Sequence, residues 1–221
     1  MAKSPAKPRK REPGITREKL LAAAFDEIYR RGFQAASLDT ILAKAGVTKG
    51  ALYHHFPDKR ALGFAVVDDM VHDLLLERWL GVLDRQPGDP LTAIQGMLKE
   101  RTIRLTDHEV ELGCPLNNLA QEMSPLDEPF RRRVSVTYDR WIEGFSKVLK
   151  KGQTEGSVRR DLNPRQVATF LVGAIEGSFG LAKSARSESM LRSNLEVLSR
   201  LLDGLRPGGK KPARRGRTAP R

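Results

Sequence analysis

Between Val47 and Lys59 the chain reads VTKGALYHHFPDK, and several of these side chains can do chemistry. Lys49 carries a cation. Tyr53 and His54 can exchange hydrogen bonds with a partner. Thr48 stands where a helix would begin, and the amides of a helix N-terminus form a natural phosphate site. On a wheel turning about 100° per residue, Lys49, Gly50, Tyr53 and His54 share one arc. Ala51, Leu52, His55 and Phe56 fill the opposite arc. One side of the segment can therefore pack, while the other presents a cation, a phenol and an imidazole. That set suits a polyanion. Lys49 can neutralise a phosphate, and Tyr53 and His54 can reach phosphate oxygens or base edges. Gly50 and Ala51 let a partner approach the backbone closely.

Other chemistry fits less well. Adjacent histidines on a helix point about 100° apart, and no Cys/His/Asp cluster nearby has ligand spacing, so no metal site is expected. Tyr53 as a core residue conflicts with its place on the wheel. No Ser or Cys belongs to a visible His/Asp system, and no Gly-rich phosphate loop follows a strand. Neither catalysis nor a cofactor is expected.

The elements that must position this segment all have helical period. Leu21, Ala24, Phe25 and Ile28 form the first apolar stripe, with Thr16 as N-cap and Gly32 as stop. Leu38, Ile41, Leu42 and Ala45 form the second, after the cap Ser37 and before Gly46. Thr48 caps the third, very short helix. Asp58 opens a fourth that runs to about Arg85. Further helices are expected from Leu91 to about Asp107, after Pro115, from Leu126 to about Lys151, from Pro164 to Lys183 and from Ser189 to Leu205. No strand pattern of useful length appears. The fold class is all-α, with about nine helices. A helix, the Gly46 turn and a second short helix have the spacing of a helix-turn-helix, whose second helix enters the major groove.

Composition limits the remaining possibilities. A chain of 221 residues suits one large or two small domains. No run of 18 apolar residues appears, so no membrane partner is expected. The single cysteine and the lack of a secretory signal point to the cytoplasm. The net charge of +12 is concentrated at the ends: five basic residues lie in 1–11 and seven in 206–221, with no acid in either. The rest of the chain is balanced. Residues 1–13 and 206–221 are expected to be disordered tails that attract phosphate without reading sequence. Residues 14–60 would form the DNA-binding domain, and 61–205 a second, larger domain.

The run from Thr16 to Leu62, TREKLLAAAFDEIYRRGFQAASLDTILAKAGVTKGALYHHFPDKRAL, resembles the DNA-binding domain of TetR/AcrR-type transcriptional regulators over its whole length. The resemblance implies that Thr48, Lys49, Gly50, Ala51, Tyr53 and His54 read DNA. It implies a phosphate anchor at Lys59 and, less directly, at Thr16. It further implies a homodimer, usually a repressor, whose C-terminal domain binds a small molecule and whose operator is palindromic double-stranded DNA.

The second half adds two features. Leu191, Leu195, Leu198, Leu202 and Leu205 step by 4, 3, 4, 3 along the last helix. The helix before it carries Leu171 and Ile175 in an apolar stripe, with Gly173, Gly177 and Gly180 permitting close approach. Two such helices per subunit can pair in a four-helix interface, or the stripes can face their own core. The segment LGCPLNNLAQE resembles a GCPLxNLAxE run found in one group of these regulators, where it lies beside the ligand cavity. Cys114, Asn117, Asn118, Gln121, Trp141 and Phe179 are the candidate ligand contacts. Cys114 stands at a helix N-terminus, which favours thiolate and opens an electrophile- or redox-sensing alternative; simple packing is the other reading. A sequence-neutral DNA-binding protein acting through its tails is the remaining rival.

Overall fold

The computed structural model describes residues 13–83, 85 and 88–208. Every regular element among them is helical. The elements are α1 (Pro13–Arg31), α2 (Leu38–Ala45), α3 (Lys49–His55), α4 (Lys59–Ala65), α5 (His72–Leu76), α6 (Pro90–Ile103), α7 (Asp107–Leu112), α8 (Pro115–Met123), α9 (Glu128–Glu155), α10 (Pro164–Ala185) and α11 (Glu188–Leu201). A π-helical turn, Val66–Val71, joins α4 to α5, and a second, Glu77–Gly81, follows α5. A 3₁₀ turn at Leu202–Leu205 ends α11. By packing the chain divides into two units. One contains residues up to Leu74 together with Pro115–Thr137, and the other Leu75–Cys114 together with the chain from Tyr138 onward.

In the first unit the local signals act as their chemistry requires. The Ser37 hydroxyl accepts from the Thr40 N–H, the Thr48 hydroxyl from Ala51 and the Asp58 carboxylate from Ala61. Gly46 adopts the left-handed conformation at φ 64°, which closes α2 and releases the chain into α3. Leu20, Ala24 and Ile28 of α1 meet Ile41, Leu52, Phe56 and Leu62 in one core. Glu27 is buried there, and its carboxylate accepts from the Ser37 N–H and pairs with Arg31 and Lys44.

Segment 115–137 packs into the same unit. Phe130 meets Phe33 at a tilt and Phe64 edge to face, with ring centroids 4.6 and 4.9 Å away. Gly63 makes this possible, because a Cβ there would lie 2.8 Å from the Phe130 ring. Arg60 grips Asp127 with two hydrogen bonds, and Arg133 pairs with Asp68 while lying over the Phe64 ring.

In the second unit α10 packs on α11 and α7, and α11 on α6. Trp79 stacks on Trp141 at 5.1 Å and meets Phe179 edge to face. Arg78 and Arg101 both pair with the buried Glu109. Burial alone would raise the Glu109 pKa; the two guanidiniums outweigh it and hold the carboxyl below its ordinary value.

Several sequence expectations need correction. Helix α1 begins at Pro13, a residue suited to a helix's first turn, so Thr16 is a buried residue inside the helix and not its cap. The helix expected to reach Asp107 stops at Ile103, and α7 follows as a separate element behind a Thr106–Glu109 capping box. Arg206, assigned to the tail, belongs to the folded body: its guanidinium pairs with Asp89, the N-cap of α6. The strongly basic stretches 1–11 and 209–221 lie outside the described residues.

Candidate DNA-binding face and ligand cavity

The α3 face is built from behind. Leu52 is fully buried and Phe56 nearly so. Their anchorage turns Thr48, Lys49, Gly50 and His54 to solvent, with Tyr53 43% exposed and Ala51 at the margin. Lys49 Nζ lies 6.0 Å from the Tyr53 ring centroid, so cation and phenol form one patch. The Lys59 ammonium donates to the Gln34 carbonyl at 2.9 Å and lies near the Phe33 ring. Lys59 thus ties the start of α4 to the α1–α2 turn, with donors remaining for another partner. His54 and His55 meet edge to face, with centroids 5.1 Å apart. Among the described residues no group of three or more His, Cys, Asp or Glu is placed to hold a metal ion.

The candidate ligand contacts do not form one group. Cys114, Trp141 and Phe179 line a small cavity with Leu75, Arg78, Trp79 and Glu176. Asn118 lines a different one, with Phe25, Tyr29, Leu119 and Glu122 among its walls. Asn117 and Gln121 share an outer face of α8, where the Gln121 amide approaches the Asn117 oxygen at 3.5 Å. The sequence reading missed Glu176. Its signal was a lone carboxylate beside Ile175 in the apolar stretch of α10. Glu176 is 7% exposed, and neither carboxylate oxygen makes a well-formed hydrogen bond. Burial pushes its pKa up to about 7, with the Cys114 thiol acting in the opposite sense. Burial, with Glu176 and Cys114 nearby, raises the Tyr138 phenol well above its usual range.

The expected subunit-interface residues are turned inward. Leu171, Ile175, Leu191, Leu195, Leu198 and Leu202 are 0–4% exposed in the single chain, because their stripes hold α10 and α11 to their own core. The outer faces carry other residues. Phe170 and Leu181 on α10 and Met190, Val197 and Leu201 on α11 are exposed, and Gly173, Gly177 and Gly180 have open space where a side chain would stand.

A three-helix head that presents a short capped helix with an exposed cationic and phenolic face defines a helix-turn-helix protein. Comparison with known proteins agrees. Residues 20–66 match the family described as bacterial regulatory proteins, tetR family, and residues 90–198 match the tetracyclin repressor-like C-terminal domain. The HTH-type transcriptional repressor DhaR of Mycobacterium sp. strain GP1 is 30% identical over 183 residues, 82% of this chain and 89% of DhaR. The HTH-type transcriptional regulator LmrA of Bacillus subtilis is 30% identical over 179 residues, 80% of this chain and 92% of LmrA. The crystal structure of Escherichia coli NemR in its reduced form superposes with a TM-score of 0.75 at 26% identity, covering 88% of this chain and 98% of that one. The chain belongs to the TetR family of bacterial transcriptional regulators. It is a ligand-responsive DNA-binding regulator and not an enzyme. Regulators of this family bind operator DNA and ligands and function as dimers. Among the described residues no helix is long and apolar enough to cross a membrane.

Proposed function

We propose that the protein is a cytoplasmic repressor that binds a palindromic operator as a homodimer and leaves it when a small molecule binds. The observation that carries this reading is the division of α3: Leu52 and Phe56 are buried while Lys49, Tyr53 and His54 face out together. In this reading Lys49 meets a phosphate, Tyr53 and His54 reach base edges or phosphates, and Gly50 and Ala51 let the helix sit deep in the major groove. Thr48 and Lys59 hold the flanking backbone. Thr16, buried in α1, contributes at most through its helix. One such helix reads few base pairs, so two heads at half-sites about 34–36 Å apart, or a multiple, are needed.

The subunits pair through the outer faces of α10 and α11. Exposed Phe170, Leu181, Val197 and Leu201 supply apolar area, and the three open glycines allow close approach. The effector sits among Cys114, Trp141 and Phe179, and lowers operator affinity by binding more tightly to the DNA-free form. Cys114 is buried beside a carboxylate, whereas reactive cysteines sit in electropositive, partly exposed surroundings. This favours lining over sensing.

Titrating a matched palindrome and a scrambled duplex at several salt concentrations, with and without residues 1–11 and 209–221, tests the reading. The operator should keep its preference without the tails, while scrambled DNA loses affinity. Equal affinity for both duplexes in both proteins defeats it.

A further inference from the structure

The cavity around Glu176 combines features that identify a ligand class. Its walls are largely aromatic and aliphatic: Trp79, Trp141, Phe179 and Leu75. Into this setting α10 places a carboxylate that is more than nine-tenths buried, with no well-formed hydrogen bond to either oxygen and only the weakly donating Cys114 thiol beside it. The Trp141 indole N–H is also buried without an acceptor. Buried polar groups in native proteins nearly always have partners, and exceptions call for a functional reason. The basic residues nearby do not supply one. Arg78 reaches Glu109 at 2.6 Å and Arg101 reaches it at 2.8 Å, so both guanidiniums turn to the same acid and leave Glu176 without a cation of its own.

We propose that this cavity is the effector site and that it takes an organic cation: an ammonium or amidinium group on a compact apolar frame. The cation meets the Glu176 oxygens, and its frame lies against Trp141 and Phe179, whose quadrupoles attract positive charge. Trp79 already stacks on Trp141 and has the Arg101 guanidinium 5.6 Å from its ring centroid. A neutral ligand would supply a donor but leave the carboxylate without a counter-charge. An anion would face it directly. The space open to a water-sized sphere is about 10 Å³, room for a single water, so the ligand must widen the cavity as it enters. That widening is the structural difference on which an effector acts. The inference rests on the regulator reading above, and its test does not involve DNA.

The chain has two tryptophans, Trp79 and Trp141, and both line this cavity, so intrinsic fluorescence reports on the site. Three probes share one frame: 1-adamantylammonium, 1-adamantanol and 1-adamantanecarboxylate. Each is titrated against the full-length protein at pH 8 by tryptophan fluorescence, with thermal shift as a second reading. The ammonium should bind at least tenfold more tightly than the alcohol, and the carboxylate most weakly. Between pH 8 and pH 6 the ammonium should weaken severalfold as Glu176 takes up a proton. The other titratable and charged groups around it are Arg78, Cys114 and Tyr138, with Glu109 held by Arg78 and Arg101, and Arg101 over the Trp79 ring. Glu176→Gln isolates the carboxylate from them, and should abolish both the ammonium preference and the pH effect. An alcohol or carboxylate that binds as well as the ammonium overturns the proposal. So does failure of all three to bind, or an ammonium preference that survives in Glu176→Gln. The order of the probes on the parent protein decides the matter even if the variant folds poorly. Operator binding measured separately shows whether the regulator reading stands regardless.

Discussion

Glu122 on α8 accepts the backbone N–H of Phe33 at 2.8 Å through one oxygen, and that of Gln34 at 2.8 Å through the other. These amides lie in the turn between α1 and α2, so a single carboxylate holds the entry to the helix-turn-helix. Gly32 adjoins it at φ 81°, with space for no side chain: a Cβ would stand 2.8 Å from a Glu122 oxygen. Glu122→Ala removes two charge-assisted bonds and should destabilise the fold by about 1–3 kcal/mol. Operator affinity should fall with it, because the turn then positions α2 and α3 less firmly. Gly32→Ala should do the same by strain at positive φ. Denaturant titration and operator binding on both variants check this. An unchanged unfolding midpoint for Glu122→Ala would show that the anchor is idle.

The α3 face predicts a separation of binding from stability. Tyr53 is 43% exposed, and among the described residues its hydroxyl has no hydrogen-bond partner. Tyr53→Phe should weaken operator binding by roughly 1 kcal/mol and leave the melting temperature in place. Lys49→Ala should weaken binding to all sequences and reduce the salt dependence by about one counterion. The slope of log affinity against log salt is the measurement. A Lys49→Ala slope equal to the parent's would place Lys49 away from the phosphates.

These two sites differ in how visible they are in the sequence. The α3 face is legible because a seven-residue helix has only two sides, and Leu52 and Phe56 claim one of them. The Ser37, Thr48 and Asp58 caps and the Gly46 turn are legible for the same local reason. Helix α7 was equally visible in Thr106-Asp107-His108-Glu109, a capping box that an apolar-period reading passes over. The leucine spacing of α11 misleads, because a stripe of 4, 3, 4, 3 is what any helix needs to join its own core. The surface left for a partner is marked by Phe170, Leu201 and bare glycines, whose meaning depends on which way the helix is turned. Glu122 and Glu176 are invisible for a different reason. Each owes its role to residues dozens of positions away.

Glu176 sets a pH dependence whose sign is fixed. Its pKa rises from 4.5 to about 7 on folding, so the folded state holds a proton that the unfolded state has released. That contribution is fully present below pH 4.5 and is lost as pH rises through 7. At about 1.4 kcal/mol per unit it amounts to roughly 3 kcal/mol. Glu176→Gln, which is neutral throughout, should therefore gain on the parent by about this amount between pH 5 and pH 8. Urea midpoints for both proteins across that range are the check. A difference that stays flat with pH would mean that Glu176 titrates normally in the folded chain.

Association should respond to the outer faces of α10 and α11 and not to their core stripes. Gly177 has nothing within 4 Å of where its Cβ would be, so a larger residue fits the isolated subunit. Gly177→Glu should keep the subunit folded, with little change in helical content. Across a close helix contact it sets a charge where two backbones approach, and the dimer should dissociate at protein concentrations where the parent stays paired. Operator binding should fall in parallel, since two heads joined on one duplex bind far more tightly than one. Leu195 is 1% exposed in the single chain. Leu195→Ala should cost about 2–5 kcal/mol of stability through the cavity it leaves, whatever the oligomeric state. Sedimentation over a concentration series distinguishes the two variants. A Gly177→Glu protein that remains dimeric at nanomolar concentration would move the subunit interface elsewhere on the molecule.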